Sequence, residues 1–533
     1  MNKPKIGLLP LYVKFYDEVL PDLAAQVEPF VGRVQSALAD GGLEVLVAPI
    51  SRTRPDFASA VERFEAAGVD AIVTLHLAYS PSLESAAVLA KTALPVIMLD
   101  TTPDRDFGRD VDPMRLLYNH GVHGLQDLAS VLRRFGKPYQ VVAGHLEDSD
   151  VIQRCVSAVR MTRTGEFATS IPAPSAAIQI PALGKSAARA HSRRNGNAAL
   201  AAALEPAGTI ALLEADAPSD NARLAAAGNC AARAAESLRS MRVLRIGGVF
   251  PGMGDFAVCD KLLQKTFGIA VENIEPGDLA AAVNAINDKT VATEMAANQK
   301  LFRVECDSEV HARSVRVGLG LREFLKRGEF GAFSLNFLAF KDSTGLVNTV
   351  PFLECCQAMA RGLGYAGEGD VLTAALVGAL LQGFGATTFT EIFCADWAGN
   401  SLFLSHMGEI NCAETAAKPL LYEKEFPFTP AQNPATLACA PKPGPGTYVN
   451  ISPGPNDTFR LITAPVEVLA DGTHPGLKQW VRGWIRPQIP LPRFLEEFSH
   501  LGGTHHAALM FGDHTAALAE FAALLKIEHC NIA

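Results

Sequence analysis

Through the first 160 residues, short apolar runs alternate with longer segments in which apolar residues recur every three to four positions. Residues 5–9 (KIGLL), 43–49 (LEVLVAP), 71–75 (AIVTL), 95–99 (PVIML) and 139–143 (YQVVA) predict buried strands, and 57–68 and 81–92 predict helices between them. That alternation implies a mostly parallel sheet covered on both faces, with ligands expected beyond the carboxyl ends of the strands. His76, at such an end, and His120 and His123 in YNHGVHG stand where a ligand is expected.

Residues 161–240 have another texture. About a third are Ala, and Phe167 is their sole aromatic residue, which predicts an insertion or elaborated connection, helical in part. From 243 the earlier rhythm resumes in VLRIGGVF, FGIAVENI and the helix-like PGDLAAAVNAI. After about 385, TTFTEIF, SLFLSHM, TYVNI and TFRLITAPVEVL predict strands, while PKPGPG and SPGPND predict loops. The fold class is therefore α/β, two open Rossmann-like layers followed by a β-rich C-terminal domain. The expected boundaries are 1–160, 161–240, 241–385 and 386–533.

Composition narrows the function classes. The 47 Lys and Arg against 56 Asp and Glu give a net charge of -9 with no predominantly basic segment, so nucleic acid is not an expected partner. No window approaches about eighteen uninterrupted apolar residues, so no membrane span is expected. The start, MNKPKIGLLPLYVKFYDE, is interrupted by Pro10 and carries Lys14, Asp17 and Glu18, which does not make a secretory signal. The ten cysteines are scattered without a CxxC pair and are expected to be reduced. A cytoplasmic protein with small-molecule partners, or copies of itself, is the resulting expectation.

Four segments carry the chemistry: GYAGEGD (364–370), TFTEIF (388–393), LFLSHMGE (402–409) and LGGTHHAAL (501–509). Glu368 lies in a glycine-rich turn before a helix, Glu391 and His406 lie in strand-like runs, and His505 and His506 follow a Gly-Gly pair. Two carboxylates with one or two imidazoles form a hard O/N ligand set suited to Mn²⁺, Mg²⁺ or a similar divalent ion that keeps positions open for substrate oxygens. Taken singly, each residue has a plainer reading: a Glu in a glycine turn is ordinarily a solvated or capping carboxylate, and a His near an apolar run is ordinarily a hydrogen-bonded core residue.

Taken together, GLGYAGEGDVLTAAL, EIF, SHMGE and GGTHH occur in the order found in the L-arabinose isomerase family, part of the wider L-fucose and L-arabinose isomerase group, which the chain resembles along most of its length. VNTVPFLECCQAMARGLGYAGEGD and GMGDFAVCDKLLQKTFGIAVENIEPGDLAAAVNAINDKTV add to the resemblance. It implies an aldose–ketose isomerase acting on a free pentose or related sugar, L-arabinose-like or L-fucose-like, with Mn²⁺ or another divalent cation such as Mg²⁺ or Co²⁺. The implied metal ligands are Glu368, Glu391, His406 and the second histidine of the pair, His506; the two glutamates double as the acid/base pair of a cis-enediol route, with a hydride shift as the alternative. The implied substrate-contacting residues are Leu11, His120, His123, Met253, Phe337 and His505.

In that family the histidine matched by His123 reaches the site of a neighbouring subunit, which implies a homo-oligomer, trimer or hexamer. Three positions depart from the family pattern: Leu9 and His120 replace glutamines, and EIF replaces EDY. Exchanging amides for an apolar or imidazole group changes the hydroxyl pattern such a site prefers. Two other classes compete. A non-catalytic sugar-binding or sensing protein predicts a secretion signal, and a metallohydrolase predicts a water-positioning base outside the ligand set.

Overall fold

The computed structural model of the chain describes residues 3–148, 150–164, 167 and 220–533. Much of the alanine-rich stretch lies outside the described residues. Strands β1 (Lys5–Leu11), β2 (Glu44–Val47), β3 (Ala71–His76), β4 (Val96–Asp100) and β5 (Tyr139–Ala143) form a parallel sheet in the order β2-β1-β3-β4-β5. Side chains alternate across it. Ile6, Leu8 and Tyr12 pack into one core with Val27, Val34 and Val151, while Leu9 and Leu11 pack into the other with Phe57 and Leu125. The strand order reverses between β1 and β3, the crevice where open α/β sheets bind ligands.

The second layer holds β6 (Arg242–Ile246), β7 (Ala270–Ile274), β9 (Ala332–Leu335) and β10 (Gly364–Gly367), all parallel, in the order β10-β9-β6-β7; β8 (Arg303–Glu305) leaves this layer for another sheet. The end of the alanine-rich stretch packs into this layer. Residues Asp220–Arg239 form a helix whose Ala231, Ala234, Ala235 and Leu238 are buried in the same core as the helix Val371–Phe384. Small residues make that contact possible: a Cβ on Gly383 would lie 2.6 Å from the Ala234 Cβ. The start of the stretch likewise completes the helix Val151–Thr164.

In the β-rich region, β11 (Thr387–Asp396), β12 (Ser401–Ser405), β13 (Leu420–Glu423), β14 (Ala435–Ala438), β15 (Gly444–Pro453), β16 (Phe459–Val468), β17 (Gly483–Pro487), β18 (His506–Phe511) and β19 (Glu528–Asn531) follow. The antiparallel order β15-β18-β11-β12-β17-β16 closes on itself through β15 and β16, giving a six-stranded barrel to which β19 adds in parallel. Strands β14 and β13 pair with β8 in a separate small sheet. Closure also corrects the loop expected at PKPGPG, since Gly444, Pro445 and Gly446 pair with Val468, Glu467 and Val466. No helix among the described residues is long and apolar enough to cross a membrane.

At the carboxyl end of β4, one oxygen of the buried Asp100 carboxyl has no hydrogen-bond partner. Burial, with the charge of Glu496 added to it, pushes its pKa up to about 7. The folded protein thus keeps this proton well above about pH 4, where the unfolded chain releases it. Stability falls as pH rises from about 4 to about 7 and stays lower above that. Asp100→Asn is expected to raise the melting temperature at pH 8, by on the order of 3 kcal/mol of stability, and to change it little at pH 4. A gain of equal size at both pH values would contradict the burial argument.

Candidate active site

Glu368 directly follows β10, at the carboxyl edge of the second layer. Its φ of 63° lies in the left-handed region, an uncommon conformation for a residue with a Cβ. Two backbone hydrogen bonds hold it there, from the Glu368 amide to Leu335 O (2.7 Å) and from the Phe250 amide to Glu368 O (2.8 Å). The next residue must be glycine: φ at Gly369 is 86°, and a Cβ would lie 2.2 Å from Gly248 O. Asp370 then caps the Val371–Phe384 helix, its Oδ1 accepting from the Thr373 amide at 2.9 Å.

Barrel register supplies the facing groups. Glu391 on β11 sits opposite His506 on β18 and opposite Ser405 on β12, so one row across three strands brings these side chains to one side, and His406 follows immediately. Just beyond Glu391 the β11–β12 register shifts between Ile392 and Cys394. The bulged residue is Phe393, the last of EIF, and its ring lies 5.3 Å from that of His123.

The first layer reaches the site through the helix Val122–Arg134. Gly121 and Gly124 let it approach the end of β3, since a Cβ on Gly121 would lie 2.3 Å from His76 O and one on Gly124 would lie 2.7 Å from the Ser80 amide nitrogen. His123 Nδ1 thereby comes within 2.5 Å of Glu391 Oε1 in the same chain. The first layer and the barrel of one chain thus bring these two residues together. His120 stands behind His123, with ring centroids 5.2 Å apart; its Nδ1 faces Leu116 O (3.1 Å) and its Nε2 faces the Tyr16 hydroxyl (3.1 Å). His76 is buried with neither ring nitrogen partnered, and burial, then the charge of His123, drops its pKa to about 3.

Leu11 is not brought into this cluster. It is fully buried on the core face of β1 together with Leu9. Met253 and Phe337 lie in the core of the second layer, Phe337 packed 5.6 Å from Phe250, whose backbone holds Glu368.

Three histidines share one arrangement. Nδ1 of His406 faces Glu409 (2.8 Å), that of His505 faces Asp255 (2.7 Å) and that of His506 faces Asp370 (3.1 Å). Ionised carboxylates only accept, so each Nδ1 carries a proton and each Nε2 is the ring atom left to face the site. All three Nε2 atoms are buried without a hydrogen-bond partner. They point at the glutamates: Glu368 Oε2 is 3.4 Å from His506 Nε2 and 3.8 Å from His505 Nε2, and Glu391 Oε2 is 3.9 Å from His406 Nε2.

The ligand atoms of Glu391, His406 and His506 lie within 4.8 Å of one another, as do those of Glu368, His505 and His506, so His506 is common to both groups. Orphaned imidazole nitrogens backed by carboxylates and facing two further carboxylates are the donor set a divalent cation takes. Burial alone would raise the pKa of Glu368, but the imidazoles of His505 and His506 outweigh it and hold the carboxyl well below the usual range. Glu391 is lowered in the same way, chiefly by His123. Burial and His505 would lower His506, yet Asp370 and Glu368 carry it up to about 9.

Sequence reasoning did not single out Asp255, Asp370 or Glu409. Asp370 and Glu409 stood in the quoted motifs, two residues after Glu368 and three after His406. Asp255 and His505 are 250 residues apart, and no local pattern pairs them.

Gly121→Ala is expected to push the Val122–Arg134 helix off the end of β3, costing about 1–3 kcal/mol in thermal or denaturant unfolding and separating His123 from Glu391. Unchanged stability would show that the approach of helix and strand is not limiting.

Residues 251–382 match the L-arabinose isomerase central domain, and residues 386–528 match the L-arabinose isomerase C-terminal domain. The chain is 25% identical to an L-arabinose isomerase of Shouchella clausii over 98% of this chain and 92% of that one. It is 31% identical to one of Shewanella baltica over 56% of this chain and 61% of that one, and 29% identical to that of Escherichia coli over 55% and 60%. Among solved structures, a periplasmic sugar-binding protein from Legionella pneumophila is 13% identical with a TM-score of 0.16, over 71% of this chain and 94% of that one, and that score assigns no fold. The two matched domains together take in more than half of the sequence, and the chain belongs to the L-arabinose isomerase family.

Proposed function

We propose that this chain is a divalent-cation-dependent aldose–ketose isomerase acting on a free pentose or related sugar of the L-arabinose or L-fucose type. The observation that carries the reading is the set of buried, unpartnered Nε2 atoms of His406, His505 and His506 facing Glu368 and Glu391. Glu368, Glu391, His406 and His506 would hold the cation, with Mn²⁺ first and Mg²⁺ or Co²⁺ as alternatives. Such an ion polarises the sugar carbonyl and stabilises negative charge developing on oxygen.

The chain's own residues handle the carbon-bound proton. Glu368 and Glu391 are held ionised by the imidazoles around them, so either can accept a proton at neutral pH. One takes the proton from C2, next to the aldehyde carbon, and returns it to C1 through a cis-enediol, while a second proton passes from O2 to O1. His123 holds one oxygen of Glu391 and fixes the direction of the other. His120, His123 and His505 are the proposed contacts to sugar hydroxyls, Met253 and Phe337 the apolar wall. With Leu9 and His120 in place of glutamines, the preferred sugar is expected to differ from L-arabinose in its hydroxyl pattern. We place the protein in the cytoplasm as a homo-oligomer, trimer or hexamer.

The test is an isomerisation screen over L-arabinose, L-fucose, D-arabinose and D-galactose with Mn²⁺ and with chelator. Turnover of at least one sugar, lost on chelation, is expected; no turnover of any would remove the reading. Glu368→Gln and Glu391→Gln should each lower kcat by about 100-fold or more with the fold retained, and near-normal activity in either would defeat its assignment. Deuterium from solvent should appear at the migrating position, and its complete absence would replace the enediol by a hydride shift. His120→Gln should change the ranking of sugars more than the affinity for Mn²⁺; an unchanged ranking would take His120 out of the sugar site.

A further inference from the structure

The helix Val122–Arg134 meets both other layers with one face. His123 and Asp127 stand one turn apart on it, and the role of Asp127 is not covered by the chemistry above. Asp127 is fully buried and accepts four hydrogen bonds. Oδ2 accepts from the Tyr79 hydroxyl (2.8 Å) and the Ser82 amide (3.0 Å), while Oδ1 accepts from the amides of Gly254 (3.1 Å) and Asp255 (2.9 Å). A buried carboxylate is costly unless such donors fill its lone pairs.

Two of the donors also touch histidines of the site. The Tyr79 ring lies edge-on to His123, with centroids 5.1 Å apart, and 5.6 Å from the ring of His505. Asp255 accepts from both the amide (2.9 Å) and Nδ1 (2.7 Å) of His505. Asp127 therefore fixes the ring that packs beside His505 and the peptide that carries its acceptor.

We infer that Asp127 is a positioning residue of the isomerase site, which through Tyr79 and the Gly254–Asp255 peptide sets the ring orientation of His505 and so the aim of its Nε2 at Glu368. The inference rests on the isomerase reading. A tie between layers with no bearing on His505 would need only a filled cavity. Asparagine fills the same volume but turns an NH₂ group toward donors, so it separates the two cases.

The experiment uses the full chain with Mn²⁺. Asp127→Asn and Tyr79→Phe are each expected to lower kcat about tenfold with KM changed less than about twofold. In a His505→Gln background the same substitutions should cost less than about twofold, because the ring they orient is gone. A second readout is independent of turnover. In ¹⁵N-histidine-labelled protein the Nδ1 proton of His505, identified by its loss in His505→Gln, should shift or broaden in both variants. Equal losses of kcat in the two backgrounds, or an unmoved His505 signal, would overturn the inference. If Asp127→Asn does not fold, Tyr79→Phe, which deletes one oxygen, decides by the same comparison. A wild-type protein with no turnover of any sugar would end the isomerase reading, and the His505 signal would still decide whether Asp127 orients that ring.

Discussion

Two carboxylates taken out of water, Glu368 and Glu391, each 5% exposed, impose the condition the rest of the structure meets. An ionised carboxylate in such surroundings carries a penalty of several kcal/mol unless it is paired. Here the compensation comes in shells. Imidazoles of His123, His406, His505 and His506 surround the two glutamates, and Glu409, Asp255 and Asp370 stand behind three of those imidazoles. Five carboxylates thus face four imidazoles, an imbalance that a bound cation would offset. Each layer of the fold contributes to the arrangement: the first supplies His123, the second supplies Glu368, Asp255 and Asp370, and the barrel supplies the rest.

The backbone bears part of the cost. Glu368 keeps a left-handed conformation because hydrogen bonds from two neighbouring segments fix its peptide on both sides, and the residue after it is a glycine wedged against Gly248. Strain held by the surroundings in this way is a mark of functional positions. Placing the carboxylate by its backbone leaves its side-chain oxygens free for the imidazoles.

The local levels of this structure were legible in the sequence. Apolar runs gave every strand of the first sheet to within one or two residues, and the turn GEGD, the strand TFTEIF and the pair His505–His506 stood out through the family resemblance of their order rather than through their spacing. What stayed hidden is set by tertiary register. No spacing shows that Glu391 and His506 share a row, that a bulge at Phe393 turns its ring to His123, or that Asp255 waits for His505. Leu11, which the resemblance implied as a substrate contact, lies in the core beside Leu9. Low complexity left the bounds and packing of the helix Asp220–Arg239 unread, because alanine spacing carries almost no amphipathic signal although alanine is what close helix packing needs.

The row across β18, β11 and β12 also fixes when the site can exist. Strand β18 begins at His506, 115 residues after Glu391. During synthesis the two parallel layers emerge first, and such units fold as they appear. Glu391 then leaves the ribosome long before the strand that pairs with it. Until that strand arrives the barrel has open edges and both glutamates lack half of their compensating charge. Completing the barrel and neutralising the site are therefore a single late event, and a nascent or truncated chain lacking β18 carries ionised groups that favour water over burial.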